Sequence, residues 1–342
     1  MTMPLMRLGR SGLVTSRLAL GTMTFGARTD EAEARRIVAA AAEAGVNVID
    51  TADNYAGGRS EEIVGRAIAG NRHAWVLATK VANPVGVGPN GQGLSRKWLL
   101  EEVPRSLKRL GTDFIDILYL HKEDADTPLE ETARALADLQ RMGAIRYFGV
   151  SNFKAWRLAR LCAICDAEHI DRPVVSQPVY HALNRTAEVE MLPACAALGL
   201  GVMAYSPLAR GVLSGKYAPE TPPPAESRAA ARDKRILETK YRPETLHAGQ
   251  ALAEHARGRG LDPVAFAIAF VLTNAFVTGA IVGPRTLDQW RAYMAALDIG
   301  WSEADEAAVN GVVPPGSTAA PHYADPAYPV EGRALCFGPR TD

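Results

Sequence analysis

Eight short apolar runs, separated by helix-patterned stretches and loops, punctuate this 342-residue chain, and no other feature restricts its fold as strongly. The runs are RLALG (17–21), VNVID (46–50), WVLATK (75–80), FIDILYLH (114–121), AIRYFGVS (144–151), PVVSQ (173–177), LGVMAYS (200–206) and GAIVG (279–283). Strands that alternate with helical crossovers pair in parallel, and eight such units close into a barrel. The expected fold class is therefore α/β, a (β/α)8 TIM barrel forming one domain over residues 1–342. MRLGRSGLVTS (6–16) reads as an N-terminal hairpin that plugs the barrel floor. Three glycine- or proline-rich stretches, 82–95, 207–240 and 311–342, read as long loops, lids and specificity walls at the C-terminal face.

Local signals agree with this rhythm. Asp30 with Glu33, and Thr127 with Glu130, fit capping boxes, the second with Pro128 at the first helical position. Gly45, Gly111 and Gly143 fall just past helix ends, where a left-handed residue is needed. Pro104 interrupts LLEEVPRSLKRL and is expected to kink that helix. The uncharged stretch from Val264 to Val282 is as long as a membrane span. Thr273, Asn274 and Gly279 divide it into a buried helix and a buried strand instead. The start lacks the basic segment and apolar core of a signal peptide, so a soluble cytoplasmic protein is expected. Lysine plus arginine equals aspartate plus glutamate at 38 each, which gives no electrostatic reason to expect nucleic acid or a membrane as a partner. Four cysteines are too few for a disulfide scaffold, and Cys162 and Cys165 read as small core residues on a helix.

Polar residues close several of the runs. Asp50 ends VNVID, Lys80 ends WVLATK, His121 ends FIDILYLH, and Tyr55 lies in the loop TADNYAGG behind Asp50. Carboxyl ends of parallel barrel strands converge on one mouth, so a carboxylate, an amine, an imidazole and a phenol are expected to meet there. A tyrosine is a poor acid at neutral pH, with an ordinary pKa near 10. A neighbouring ammonium favours its ionised form, and Lys80 held by Asp50 is expected to lower the Tyr55 pKa. His121 would orient a substrate oxygen. No metal site is expected. The pattern GxGxxG at Gly86, Gly88 and Gly91 invites a dinucleotide fold, but Pro89 lies inside it and Asn83 and Pro84 separate it from the strand. It reads as a flexible loop.

These residues sit in segments that resemble the aldo-keto reductases over nearly the whole chain. The segments are GVNVIDTADNYAGGRSEEIVGRAI, LATK, LKRLGTDFIDILYLH, TPLEETARALADLQRMGAIRYFGVSNF, LNRTAEVEMLPACAALGLGVMAYSPLARGVLSGKY and IVGPRTLDQW. The resemblance implies a nicotinamide cofactor, NADPH with NADH possible, bound in extended form, and a catalytic tetrad at Asp50, Tyr55, Lys80 and His121. It implies that Ser151, Asn152 and Gln177 hold the nicotinamide carboxamide and that Tyr205 stacks on its ring. It places Ser206, Leu208 and Gly211 on the pyrophosphate with Lys216 nearby, and Arg285, beyond Gly283, on the adenosine 2′-phosphate with Gln289 near the adenine. Pro284 and Tyr293 depart from the family pattern at the adenine end, and His181 replaces a common asparagine, read as packing.

The activity implied is reduction of an aldehyde or ketone to an alcohol, with hydride from the nicotinamide and a proton from Tyr55 as general acid. Two alternatives stand beside it: a cofactor-sensing regulatory subunit with little turnover, and a lyase forming a Schiff base on Lys80. Met23, Phe25, Trp301 and Tyr323 are expected to wall the substrate pocket, favouring an apolar, bulky or cyclic carbonyl compound.

Overall fold

A computed structural model describes residues 3–321 and 325–328. A hairpin of β1 (Leu5–Arg7) and β2 (Val14–Ser16) opens the chain. The barrel strands follow as β3 (Leu18–Gly21), β4 (Val48–Asp50), β5 (Val76–Val81), β6 (Ile115–Leu120), β7 (Ile145–Ser151), β8 (Val175–Gln177), β9 (Gly201–Tyr205) and β10 (Gly279–Val282). All eight expected runs form strands. They pair in parallel in sequence order, and β10 closes on β3. The crossovers carry α1 (Glu31–Glu43), α2 (Arg59–Ile68), α3 (Arg96–Leu110), α4 (Leu129–Arg141), α5 (Ala155–Ala167) and α6 (Met191–Leu198). The longest connection, β9 to β10, holds α7 (Lys234–Thr239), α8 (Pro243–Gly258) and α9 (Pro263–Thr273). Helices α10 (Leu287–Met294) and α11 (Glu303–Val312) follow β10. No helix among the described residues is long and apolar enough to cross a membrane.

The strand period of two sorts the apolar residues into two cores. Leu18, Leu20, Ile49, Leu77, Leu118 and Leu120 face outward and pack beneath the helices. Ala19, Val48, Val76, Ala78, Ile117, Tyr119, Val175, Met203 and Ile281 fill the interior as a packed core. Leu8, at the turn of the hairpin and fully buried, belongs to this inner set, so the floor plug read from the sequence is present. Burying a leucine contributes about 1.5–3 kcal/mol. Gly149 has no side chain where a Cβ would come within 2.9 Å of the Tyr119 ring, which leaves room for that ring inside the barrel.

Helix punctuation is partly as expected. Gly45, Gly111 and Gly143 take positive φ, and α3 runs through Pro104 from Arg96 to Leu110. Asp30 caps α1 by accepting from the Glu33 amide, but Glu33 turns its carboxylate to the Leu287 amide and Arg36 instead of closing the box. Thr127 does not cap α4. Its hydroxyl donates to Asp124, which also gathers the Leu94 and Asp126 amides, and the helix begins after Pro128 without a side-chain cap. Cys162 and Cys165 are buried on α5 as read.

Candidate active site

Inward positions advance along each strand in steps of two. One step past the packed interior, Val48 gives way to Asp50, Ala78 to Lys80, Tyr119 to His121, Val175 to Gln177 and Met203 to Tyr205. The polar floor of the mouth is thus the next layer of the same periodicity that builds the core. Tyr55 arrives differently. Behind it Ala56, Gly57 and Gly58 all have positive φ, so the chain doubles back before α2 and keeps the phenol over the strand ends.

Lys80 is fully buried and its ammonium has three oxygen partners: Asp50 Oδ1 at 2.5 Å, the Thr51 carbonyl at 2.7 Å and the Tyr55 hydroxyl at 3.2 Å. The other Asp50 oxygen accepts from Gln177 Nε2 at 2.9 Å. His121 packs edge-on to Tyr55, ring centroids 5.9 Å apart. The Asn83 amide nitrogen lies 2.9 Å from His121 Nδ1. Because the amide donates, Nδ1 accepts and Nε2 carries the ring proton. The geometry brings all four expected residues together around one opening.

Electrostatics assign states to these groups. Burial works against the Lys80 charge, yet Asp50 and Tyr55 hold its pKa above the ordinary amine value. His121 is pushed well below the ordinary imidazole value, first by burial and then by the charges of Lys80 and Lys122, so it is neutral near pH 7. The Tyr55 pKa is raised rather than lowered, because burial outweighs the opposing pull of Lys80. The Lys80 ammonium alone predicts the opposite direction; burial of the phenol reverses it.

The opening leads into a cavity of about 660 Å³. Ser151, Asn152, Gln177, Tyr205, Ser206, Leu208, Gly211, Lys216, Gly283, Arg285 and Gln289 all line it, along with Asp50, Tyr55, His121 and Met23. Several are already ordered by one another. The Tyr205 hydroxyl donates to Asn152 Oδ1 at 2.8 Å, Asn152 Nδ2 donates to the His121 carbonyl at 2.9 Å, and Ser151 donates to the Gln177 carbonyl at 2.8 Å. Asn152 and Ser206 both adopt positive φ to face the cavity. At one end Arg28, Lys216 and Arg285 gather, and none forms an ion pair among the described residues. After burial, their mutual repulsion and that of Arg228 lower the pKa values of Arg28 and Lys216. Crowded cations without ion-pair partners, in a cavity ringed by polar groups, fit a polyanionic ligand such as a phosphorylated dinucleotide.

Two expected wall residues lie elsewhere. Phe25 is fully buried in the outer core. Trp301 stacks with Phe266 at 4.8 Å and Phe270 at 5.9 Å, with its indole N–H donating to Glu306. Helix α9 is apolar on all sides and takes up this aromatic ring, which removes it from the cavity. Tyr323 lies outside the described residues. The glycines Gly86 and Gly91 close the 82–95 loop on itself, with the Gly86 amide 2.9 Å from the Gly91 carbonyl, and neither lines the cavity. Arg28, Asn54, Asn83, Arg210, Arg228, Arg235 and Tyr328 line it but were not singled out from sequence. Asn83 carried a readable signal, since it follows the end of β5 at the barrel mouth. Arg28, Arg210 and Arg228 reach the cavity from connections between elements and Arg235 from the short helix α7, so none of them follows the strand period.

The profile of the aldo/keto reductase family matches residues 17–313, and the chain belongs to that family. Among its relatives, a probable voltage-gated potassium channel subunit beta of Oryza sativa subsp. japonica is 38% identical, covering 85% of this chain and 90% of the relative. The uncharacterized oxidoreductase YrpG of Bacillus subtilis (strain 168) is 37% identical, covering 93% of this chain and 98% of the relative. Protein tas of Escherichia coli (strain K12) is 35% identical, covering 87% and 94%.

Proposed function

We propose that this protein reduces an aldehyde or ketone to an alcohol with NADPH, Tyr55 acting as the general acid. The observation that carries the reading is the buried chain Asp50–Lys80–Tyr55, with neutral His121 beside it, at the mouth of the cavity that also holds Arg28, Lys216 and Arg285. Ser151, Asn152, Gln177 and Tyr205 would hold the nicotinamide end, the 206–216 turn the pyrophosphate, and Arg285 with Arg28 and Lys216 the 2′-phosphate. When bound, the nicotinamide supplies hydride to a carbonyl carbon. The chain's own part is the proton. A phenol with a raised pKa holds its proton at neutral pH and gives it to the carbonyl oxygen as negative charge builds there. Lys80, kept charged by Asp50, stabilises the phenolate left behind. His121 Nε2–H is free to donate to the same oxygen and orient it.

A Schiff-base lyase is disfavoured by the same contacts. Lys80 is fully buried, charged and engaged by three oxygens, so it has no free lone pair for attack. The regulatory-subunit reading keeps one point in its favour, the likeness to proteins named as potassium channel beta subunits. A screen of NADPH consumption over aldehydes, sugars, keto-steroids and cyclic ketones, repeated with NADH, tests the proposal. Turnover of at least one carbonyl class is expected. Tight NADPH binding with negligible turnover across the panel would favour the regulatory reading instead.

A further inference from the structure

One charge in the 206–216 turn has been given no role of its own. Arg210 lies in the turn after β9 with φ +57, followed by Gly211 at φ +95. A left-handed conformation costs a residue with a Cβ about 1 kcal/mol or more, and here it turns a guanidinium into the cavity. Two neighbouring arginines are paired. Arg228 pairs with Asp233 at 3.0 Å, and Arg235 pairs with Asp325 at 2.7 Å. Arg210 has neither an ion pair nor a side-chain hydrogen bond among the described residues. Its surroundings depress its pKa, burial first and then the charge of Arg228. The charge acts on Tyr55, Tyr205 and Tyr328, favouring their ionised forms. It lines the same cavity as Tyr55, His121 and Tyr205, while Arg28, Lys216 and Arg285 act on one another. A half-buried guanidinium without a counterion is poised for an anionic oxygen group that binds it in a planar, two-pronged fashion.

We propose that Arg210 is a specificity-determining residue that selects carbonyl substrates bearing a carboxylate. This rests on the reductase reading and narrows its substrate class from neutral carbonyl compounds to oxo acids. The cofactor's pyrophosphate offers the same anionic chemistry from a second source, and the experiment separates the two.

The matched probes are 4-carboxybenzaldehyde and its neutral methyl ester, methyl 4-formylbenzoate. Their dissociation constants are measured by calorimetry with saturating NADP⁺, and their kcat/KM values with NADPH, for the wild type, Arg210→Met and Arg210→Lys. The wild type is expected to favour the acid in both measurements. In Arg210→Met the acid-to-ester ratio falls at least about tenfold, the loss expected of a charged hydrogen-bonded pair, and Arg210→Lys restores part of it. Equal handling of acid and ester by the wild type, with turnover of both, overturns the proposal and leaves the reductase reading standing. Acid-selective binding without turnover of either compound supports the site and overturns the reductase reading. An unchanged ratio in Arg210→Met, with weakened NADPH binding, assigns the guanidinium to the pyrophosphate and overturns the proposal.

Discussion

The Lys80 ammonium touches Tyr55 in two ways, 3.2 Å from its hydroxyl and 4.7 Å from the centre of its ring. The same cation therefore stabilises charge on the oxygen and fixes the ring that carries it. Tyr55→Phe keeps the ring and removes only the transferable proton. Turnover should fall at least about 10²-fold, while NADPH binding, followed by fluorescence, stays close to that of the wild type. Retained turnover would remove Tyr55 from the mechanism.

A second prediction concerns the cation-rich end. Arg285→Ala should raise the KM for NADPH by about 10- to 100-fold, the value of a hydrogen bond to a charged group, and leave the KM for NADH little changed. Raising the ionic strength should weaken NADPH binding in the wild type more than in the variant. Equal losses for the two cofactors would place the 2′-phosphate elsewhere.

Asp53 supplies a prediction for pH. Its carboxylate is buried, has no side-chain hydrogen-bond partner, and shares its surroundings with Glu61, Glu102 and Arg109. Burial, then the two glutamates, push its pKa up to about 8, and Arg109 only partly opposes them. The folded protein thus holds a proton that the unfolded chain releases near pH 4. Stability should decline as pH rises from about 4 toward about 8 and level off above that. Asp53→Asn removes the ionisation and should flatten this slope, with a gain on the order of 5 kcal/mol at pH 8. Urea unfolding at pH 5 and pH 8 measures it; parallel slopes in both proteins would show that Asp53 ionises freely.

Leu8→Ala should cost about 2–5 kcal/mol, because the barrel interior around it is built from eight different strands and has little freedom to collapse. Chemical denaturation reads this directly. A loss below about 1 kcal/mol would mean that the hairpin does not seal the floor.

The strands and the polar layer above them were legible because both follow one period. A residue two places beyond an inward-facing apolar position faces inward again, as with Val48 and Asp50. The substrate wall followed no such rule. Phe25 and Trp301 lie near the mouth in sequence, but aromatic rings serve a core as readily as a pocket, and theirs went to the outer core and to the face of α9. Arg28 and Arg210 escaped notice for the opposite reason, since their positions depend on loop backbone with no pattern in composition. The direction of the Tyr55 shift depended on how much protein surrounds the phenol, which pairing residues by type does not reveal.

Leu8 and the packed interior above it close the base of the barrel, and the cavity lies at the rim formed by the strand carboxyl ends. Whatever is consumed and whatever is made must pass the same rim, so every cycle ends in an exchange of occupants and none in a flow-through. A spent molecule that lingers there blocks its successor.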